Sequence, residues 1–236
     1  MTAQTSRPSW EDRAAGRRLD WPVPYVNLRE GEEPESEGML GLLRDRAGMP
    51  TGIRYEQELP ADRDDCGVLW AHARQSLVRG RPAGRPRFGQ VHPFRQREAM
   101  SRLRCNVCMG QPSRNELGYL FLEAHPQDPI EGRLTIQPPL CLPHALDGIE
   151  RCSFLRNGGY VLLRSRVPRL HGVVGCFYRP GADGVEAVPS TRNPNEDIPV
   201  AYARHELTPW LLASQMVRRL TKVTVVSLDD ELRGTR

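Results

Sequence analysis

Apolar and polar positions alternate most clearly late in the chain. Residues 159–167 and 172–178 predict two strands paired as a hairpin across Pro168-Arg169. Segment 118–123 predicts a strand ending before Pro126, and 133–137 another. Upstream, 51–59 suits a strand followed by an Asp-rich turn, and 67–71 a shorter strand. Residues 80–89, rich in Pro and Arg, predict a loop. His92-Pro93 opens a predicted helix over 93–103, because proline fits a first turn where its missing N–H has no partner to lose. Met100 and Leu103 share one face of it, and Arg95, Arg97, Arg102 and Arg104 decorate the remainder. A second helix is expected over 141–152. Thr208-Pro209 has the form of a cap and first turn, and Trp210, Ala213, Val217 and Leu220 then make one helical apolar stripe. A short strand over 223–228 closes the pattern.

The first 50 residues are less patterned. Trp21-Pro22-Val23-Pro24-Tyr25 is expected to be extended, since each proline pushes its predecessor away from helix. Residues 31–38 are acidic and lack a large apolar side chain, which predicts a loop or disordered segment. The expected organisation is an extended, partly disordered N-terminal arm over 1–50 and an α+β domain over 51–230.

Composition changes this picture in two ways. No apolar stretch approaches the roughly 18–20 residues that span a bilayer, and the first 20 residues lack a signal-peptide core, so a cytoplasmic location is expected. There the six cysteines stay reduced and serve as metal ligands or core residues. Charge is also uneven. Lys222 is the only lysine among 33 basic residues. Residues 74–104 carry nine Arg against Glu98 alone, while residues 1–60 carry eight Arg against 11 acidic residues. A basic block of that kind suits phosphate or an acidic protein surface, and it also suits an arginine-biased solvated face.

The chemistry-bearing residues are Cys105-x2-Cys108 and, after 32 residues, Cys141-x2-His144. A Cys-x2-Cys loop places two thiolates on one side of a tight turn. The i, i+3 spacing places Cys141 and His144 on one face at the start of a helix, where Pro143 is tolerated. Three thiolates and an imidazole fill a tetrahedral shell, so one structural zinc ion is expected, with no open position for catalysis. Cys152 competes with His144 for the fourth position, but it lies about 12 Å further along a helix rising 1.5 Å per residue. Cys66 and Cys176 are expected to be buried thiols.

A knuckle, a hairpin region and a helix carrying the last two ligands resemble a treble-clef zinc finger over about residues 103–152. The run Val91-His92-Pro93, Arg95-Gln96-Arg97, Met100, Cys105-Asn106-Val107-Cys108, Cys141-x2-His144 and Cys152 also resembles a group of uncharacterised actinobacterial proteins, as does Gly172-Val173 with Phe177-Tyr178-Arg179-Pro180-Gly181. That resemblance spans about residues 90–220 and implies no activity. The group's fourth ligand is usually Cys, so His144 is a departure. HNH nucleases share the treble clef, and the one candidate catalytic residue by that likeness is His125. Ala124 cannot bind metal, Glu123 is one position too early, no Asn lies between His125 and Cys141, and Ala145 stands where a second His is needed.

The expected function is therefore a non-enzymatic zinc-binding module. Nucleic acid is its candidate ligand through Arg95, Arg97, Arg102 and Arg104. A protein–protein adaptor with purely structural zinc is the alternative, and a degenerate HNH-type nuclease the second.

Overall fold

A computed structural model describes residues 22–35, 39–124, 130–182, 184–189 and 198–233. Seven short strands come first: β1 (Asn27–Arg29), β2 (Leu40–Arg44), β3 (Pro50–Tyr55), β4 (Leu69–Trp70), β5 (Leu77–Val78), β6 (Arg81–Pro82) and β7 (Pro86–Val91). Helix α1 (Pro93–Ser101) precedes β8 (Arg114–Asn115), β9 (Gly118–Ala124) and β10 (Leu134–Thr135). Helices α2 (Leu142–Arg151) and α3 (Ser153–Gly158) lead into β11 (Tyr160–Gly181). Then come β12 (Gly184–Ala187), β13 (Val200–Ala201), β14 (Leu211–Val226) and helix α4 (Leu228–Arg233). The described chain is mixed α and β, mostly strand, with four helices.

The largest sheet runs β10-β14-β11-β9-β8, with β4, β12 and β13 at its margins. Its axis is the antiparallel pair β11 and β14, paired from Leu162↔Val226 to Phe177↔Leu211 with register shifts between Leu170 and Gly172 and between Val174 and Gly175. Two expectations are corrected here. The hairpin across Pro168 is one continuous strand of 22 residues. Leu220, opposite Pro168, bonds through both backbone groups to Arg133 and Gly132, on the side away from β11. The Pro168 nitrogen therefore faces the outer edge of β11. There β9 has ended at Ser165 and β13 begins only at Gly172, so no strand needs its N–H.

The helix expected after Thr208 is a single 3-10 turn (Thr208–Trp210) followed by β14. Leu211, Leu212, Ala213, Met216 and Val217 are all buried, because α1 and β4 pack on this end of the strand. A strand covered on both faces loses its alternation, and its apolar positions can mimic a helical stripe. The β-branched run Thr221, Val223, Thr224, Val225 and Val226 continues the strand. Gln96 of α1 fixes the contact: its amide nitrogen donates to the carbonyls of Met216 (3.0 Å) and Ile136 (2.8 Å), and its oxygen accepts from the Met216 N–H (2.8 Å).

The expected loop over 80–89 contains β6 and part of β7, and β7 pairs with β1. Residues 22–35, placed by sequence in the arm, are folded against the body. Val26 and Leu28 are buried, and the Tyr25 N–H donates to the Val107 carbonyl (3.2 Å). Residues 1–21 lie outside the described residues. Among the described residues, no helix is long and apolar enough to cross a membrane.

Candidate metal centre

The first two candidate ligands, Cys105 and Cys108, sit on a tight knuckle. The Cys105 N–H donates to the Gly110 carbonyl (3.0 Å), and the Met109 N–H returns to the Cys105 carbonyl (2.9 Å). Met109 adopts φ 59°, and the Gly110 N–H points at Cys108 Sγ, 3.4 Å away. A side chain at 110 would crowd that sulfur, since an added Cβ would lie 3.2 Å from it. The second pair sits at the start of α2. Cys141 is the N-cap and its carbonyl accepts from the His144 and Ala145 N–H groups (3.1 and 3.0 Å). The hairpin β8–β9 lies between the two pairs in sequence. Leu120 of β9 donates to the Ser113 carbonyl and accepts from the Leu140 N–H, which joins the hairpin to the segment leading into α2.

This folding brings Cys105 Sγ, Cys108 Sγ, Cys141 Sγ and one nitrogen of His144 within 4.8 Å of one another. These residues lie close enough to hold one metal ion. Cys105 Sγ is 3.6 Å from Cys141 Sγ and 3.5 Å from His144 Nδ1. Metal–sulfur bonds of about 2.3 Å and a metal–nitrogen bond of about 2.0–2.1 Å give tetrahedral edges of roughly 3.7 and 3.5 Å, so both separations fit. The Cys141 Sγ to His144 Nδ1 separation, 2.9 Å, is tighter than such an edge. The imidazole approaches through Nδ1, and the Cys141 N–H donates to Cys105 Sγ at 3.5 Å.

Burial is graded across the site. Cys105 is fully buried with Leu120, Leu122, Leu140, Ala145 and Leu162, Cys141 and His144 are half-buried, and Cys108 is exposed. Burial, reinforced by the neighbouring thiols, pushes the Cys141 thiol up to about 12 and raises Cys108 as well. Cys152 caps the far end of α2 and lies outside the cluster. Cys66 and Cys176, expected to be buried, are exposed. His125 lies outside the described residues, and Ala145 is buried.

The four arginines assigned to an outer face behave differently from one another. Arg95 is wholly buried and forms a two-pronged ion pair with Glu32, 2.7 and 2.5 Å, while donating to the Asn27 carbonyl (2.7 Å). Its burial removes it as a contact for any ligand. Arg97 is half-buried, donates to the carbonyls of Ala61 (3.1 Å) and Arg63 (3.0 Å), and lies 5.1 Å over the Trp70 ring. Arg102 is exposed and pairs with Glu98 at 2.9 Å, and Arg104 is half-buried. Sequence reasoning missed a second buried pair, Arg164 with Glu231, which ties α4 to Ser113 and Gly118 at the β8–β9 hairpin beside the Cys/His cluster. Its partners are 67 residues apart, so no local signal marks it.

Comparison with protein-family models, curated proteins and solved structures finds no match to this chain.

Proposed function

We propose that this chain is a non-enzymatic, cytoplasmic binding module whose centre is a treble clef held by one structural zinc ion, and that its ligand is nucleic acid. The observation that carries the proposal is the convergence of Cys105, Cys108, Cys141 and His144 from a knuckle and a helix start. Zinc is the usual ion for three thiolates and an imidazole, and four protein donors leave no coordination site for water. His144 is the fourth ligand in this arrangement, and Cys152 is not required. The order knuckle, hairpin β8–β9, helix α2 supports the treble clef.

The nucleic-acid contact moves from α1 to the β11–β14 pair. Arg169 and Arg219 stand directly opposite each other, both exposed, and no carboxylate pairs with either among the described residues. Like charges directly opposite on a sheet repel. A phosphate between them would turn the repulsion into a two-point contact. His171 lies beside them: burial and the Arg219 charge hold its pKa below the ordinary histidine value. The alternative, a protein–protein adaptor, is favoured by Phe154 on α3, which is 69% exposed next to the zinc-bearing helix.

Equilibrium binding to labelled duplex DNA and single-stranded RNA over a salt series tests the proposal. Affinity should fall steeply with salt, and Arg169→Ala and Arg219→Ala should each lower the salt slope by about 1. Absence of binding at low salt to either probe sinks the nucleic-acid part and leaves the adaptor.

A further inference from the structure

In the run 92–97, His92, Pro93, Arg95 and Gln96 are buried and Arg97 is anchored to carbonyls, yet Phe94 is 52% exposed. Phe94 and Arg97, from the first two turns of α1, line a cleft of about 240 Å³ together with Asp62, Trp70 and His72. The polar groups of this cleft are held in place. Asp62, 8% exposed, approaches His72 Nε2 with one carboxylate oxygen (2.8 Å) and accepts the Leu59 N–H with the other (2.7 Å). The His72 ring stacks on the buried Tyr55 ring, centroids 4.1 Å apart. Arg97 is fixed by two carbonyls and the Trp70 face, and among the described residues no carboxylate pairs with it. A guanidinium has five N–H donors, so this cation keeps donors to spare beside an apolar cleft.

Size and charge narrow the ligand. The cleft is smaller than the roughly 300 Å³ at which drug-sized pockets begin, which suits one or two fused rings. Asp62, held by His72 and the Leu59 N–H, and Glu35, paired with Arg74, line it too, so Arg97 can offset one negative charge on a ligand while a second meets both carboxylates without a counter-charge. We propose that this cleft binds a small aromatic monocarboxylate, with the carboxylate on Arg97 and the ring against Phe94. It stands apart from the zinc and from the nucleic-acid contact.

Calorimetric titration of the full chain with 2-naphthoate tests it. Saturable one-to-one binding is expected, with the neutral 2-naphthamide and the dianionic 2-naphthyl phosphate each roughly tenfold weaker. Phe94→Ala changes an exposed side chain and should keep the melting temperature while weakening naphthoate severalfold. Arg97→Gln should equalise the acid and the amide. If Arg97→Gln does not fold, the ligand series and Phe94→Ala decide alone. No saturation at millimolar naphthoate, equal binding of acid and amide by the unaltered chain, or no effect of Phe94→Ala would overturn the assignment.

Discussion

Glu32 shows how far a single side chain can reach in this molecule. Its carboxylate accepts two bonds from Arg95, the N–H of Arg29 at 2.7 Å and the N–H of Ser76 at 3.0 Å. Burial alone would raise its pKa, and Arg95 with the two backbone donors reverses that and holds it below the usual carboxylate value. The group therefore binds its proton less readily folded than unfolded. Its contribution to stability is present above the ordinary carboxylate pKa and is lost as pH falls below it. Removing one partner leaves a buried charge uncompensated. Glu32→Gln is expected to cost about 3–5 kcal/mol by denaturant unfolding at neutral pH, with the gap to the unaltered chain closing in acid. A loss below about 1 kcal/mol would show that Arg95 has another means of charge balance. This pair was not legible in the sequence. Its members are 63 residues apart, and Glu32 lies in an acidic stretch whose composition resembles a disordered segment. The Cys/His cluster was legible because each pair is local: two residues between thiols on a turn, and two between Cys141 and His144 on the first turn of a helix.

At the scale of elements, local pattern succeeded where one face is buried or a cap is explicit. Helices α1 and α2 and strand β9 fall where their prolines and apolar spacing place them. It failed on β11 and β14, whose identity depends on each other. Pro168 has the form of a turn residue and is tolerated mid-strand only because its nitrogen faces an unpaired stretch of edge. The apolar stripe after Thr208 is helical in period and strand in fact, since burial on two faces erases alternation. Close backbone approach is the other feature that no pattern reveals. Gly118 turns the β8–β9 hairpin at φ 107°, and a Cβ there would lie 2.0 Å from the Ser165 carbonyl oxygen of β11. Gly118→Ala should thus destabilise by well over about 1 kcal/mol, because strain and clash act together. A thermal melt matching that of the unaltered chain would contradict the packing of this hairpin on β11.

At the scale of the whole molecule, the β8–β9 hairpin beside the Cys/His cluster, the central β11–β14 pair and helix α4 are joined through buried polar contacts. Arg164 of β11 links Glu231 of α4 to Ser113 and Gly118. Arg218 of β14 donates to the last carbonyls of α1, Met100 at 2.8 Å and Ser101 at 3.0 Å, and to Pro168 at 2.7 Å. Loss of the metal at one end should therefore spread through the shared sheet. The most direct measurement is metal content with thermal unfolding, on protein purified without added metal and again after chelation. About one zinc per chain is expected, with a melting transition that chelation lowers sharply and that Cys108→Ser lowers in the same way. Protein that carries no zinc, or that melts unchanged after chelation, would contradict the assignment of Cys105, Cys108, Cys141 and His144 as the structural centre.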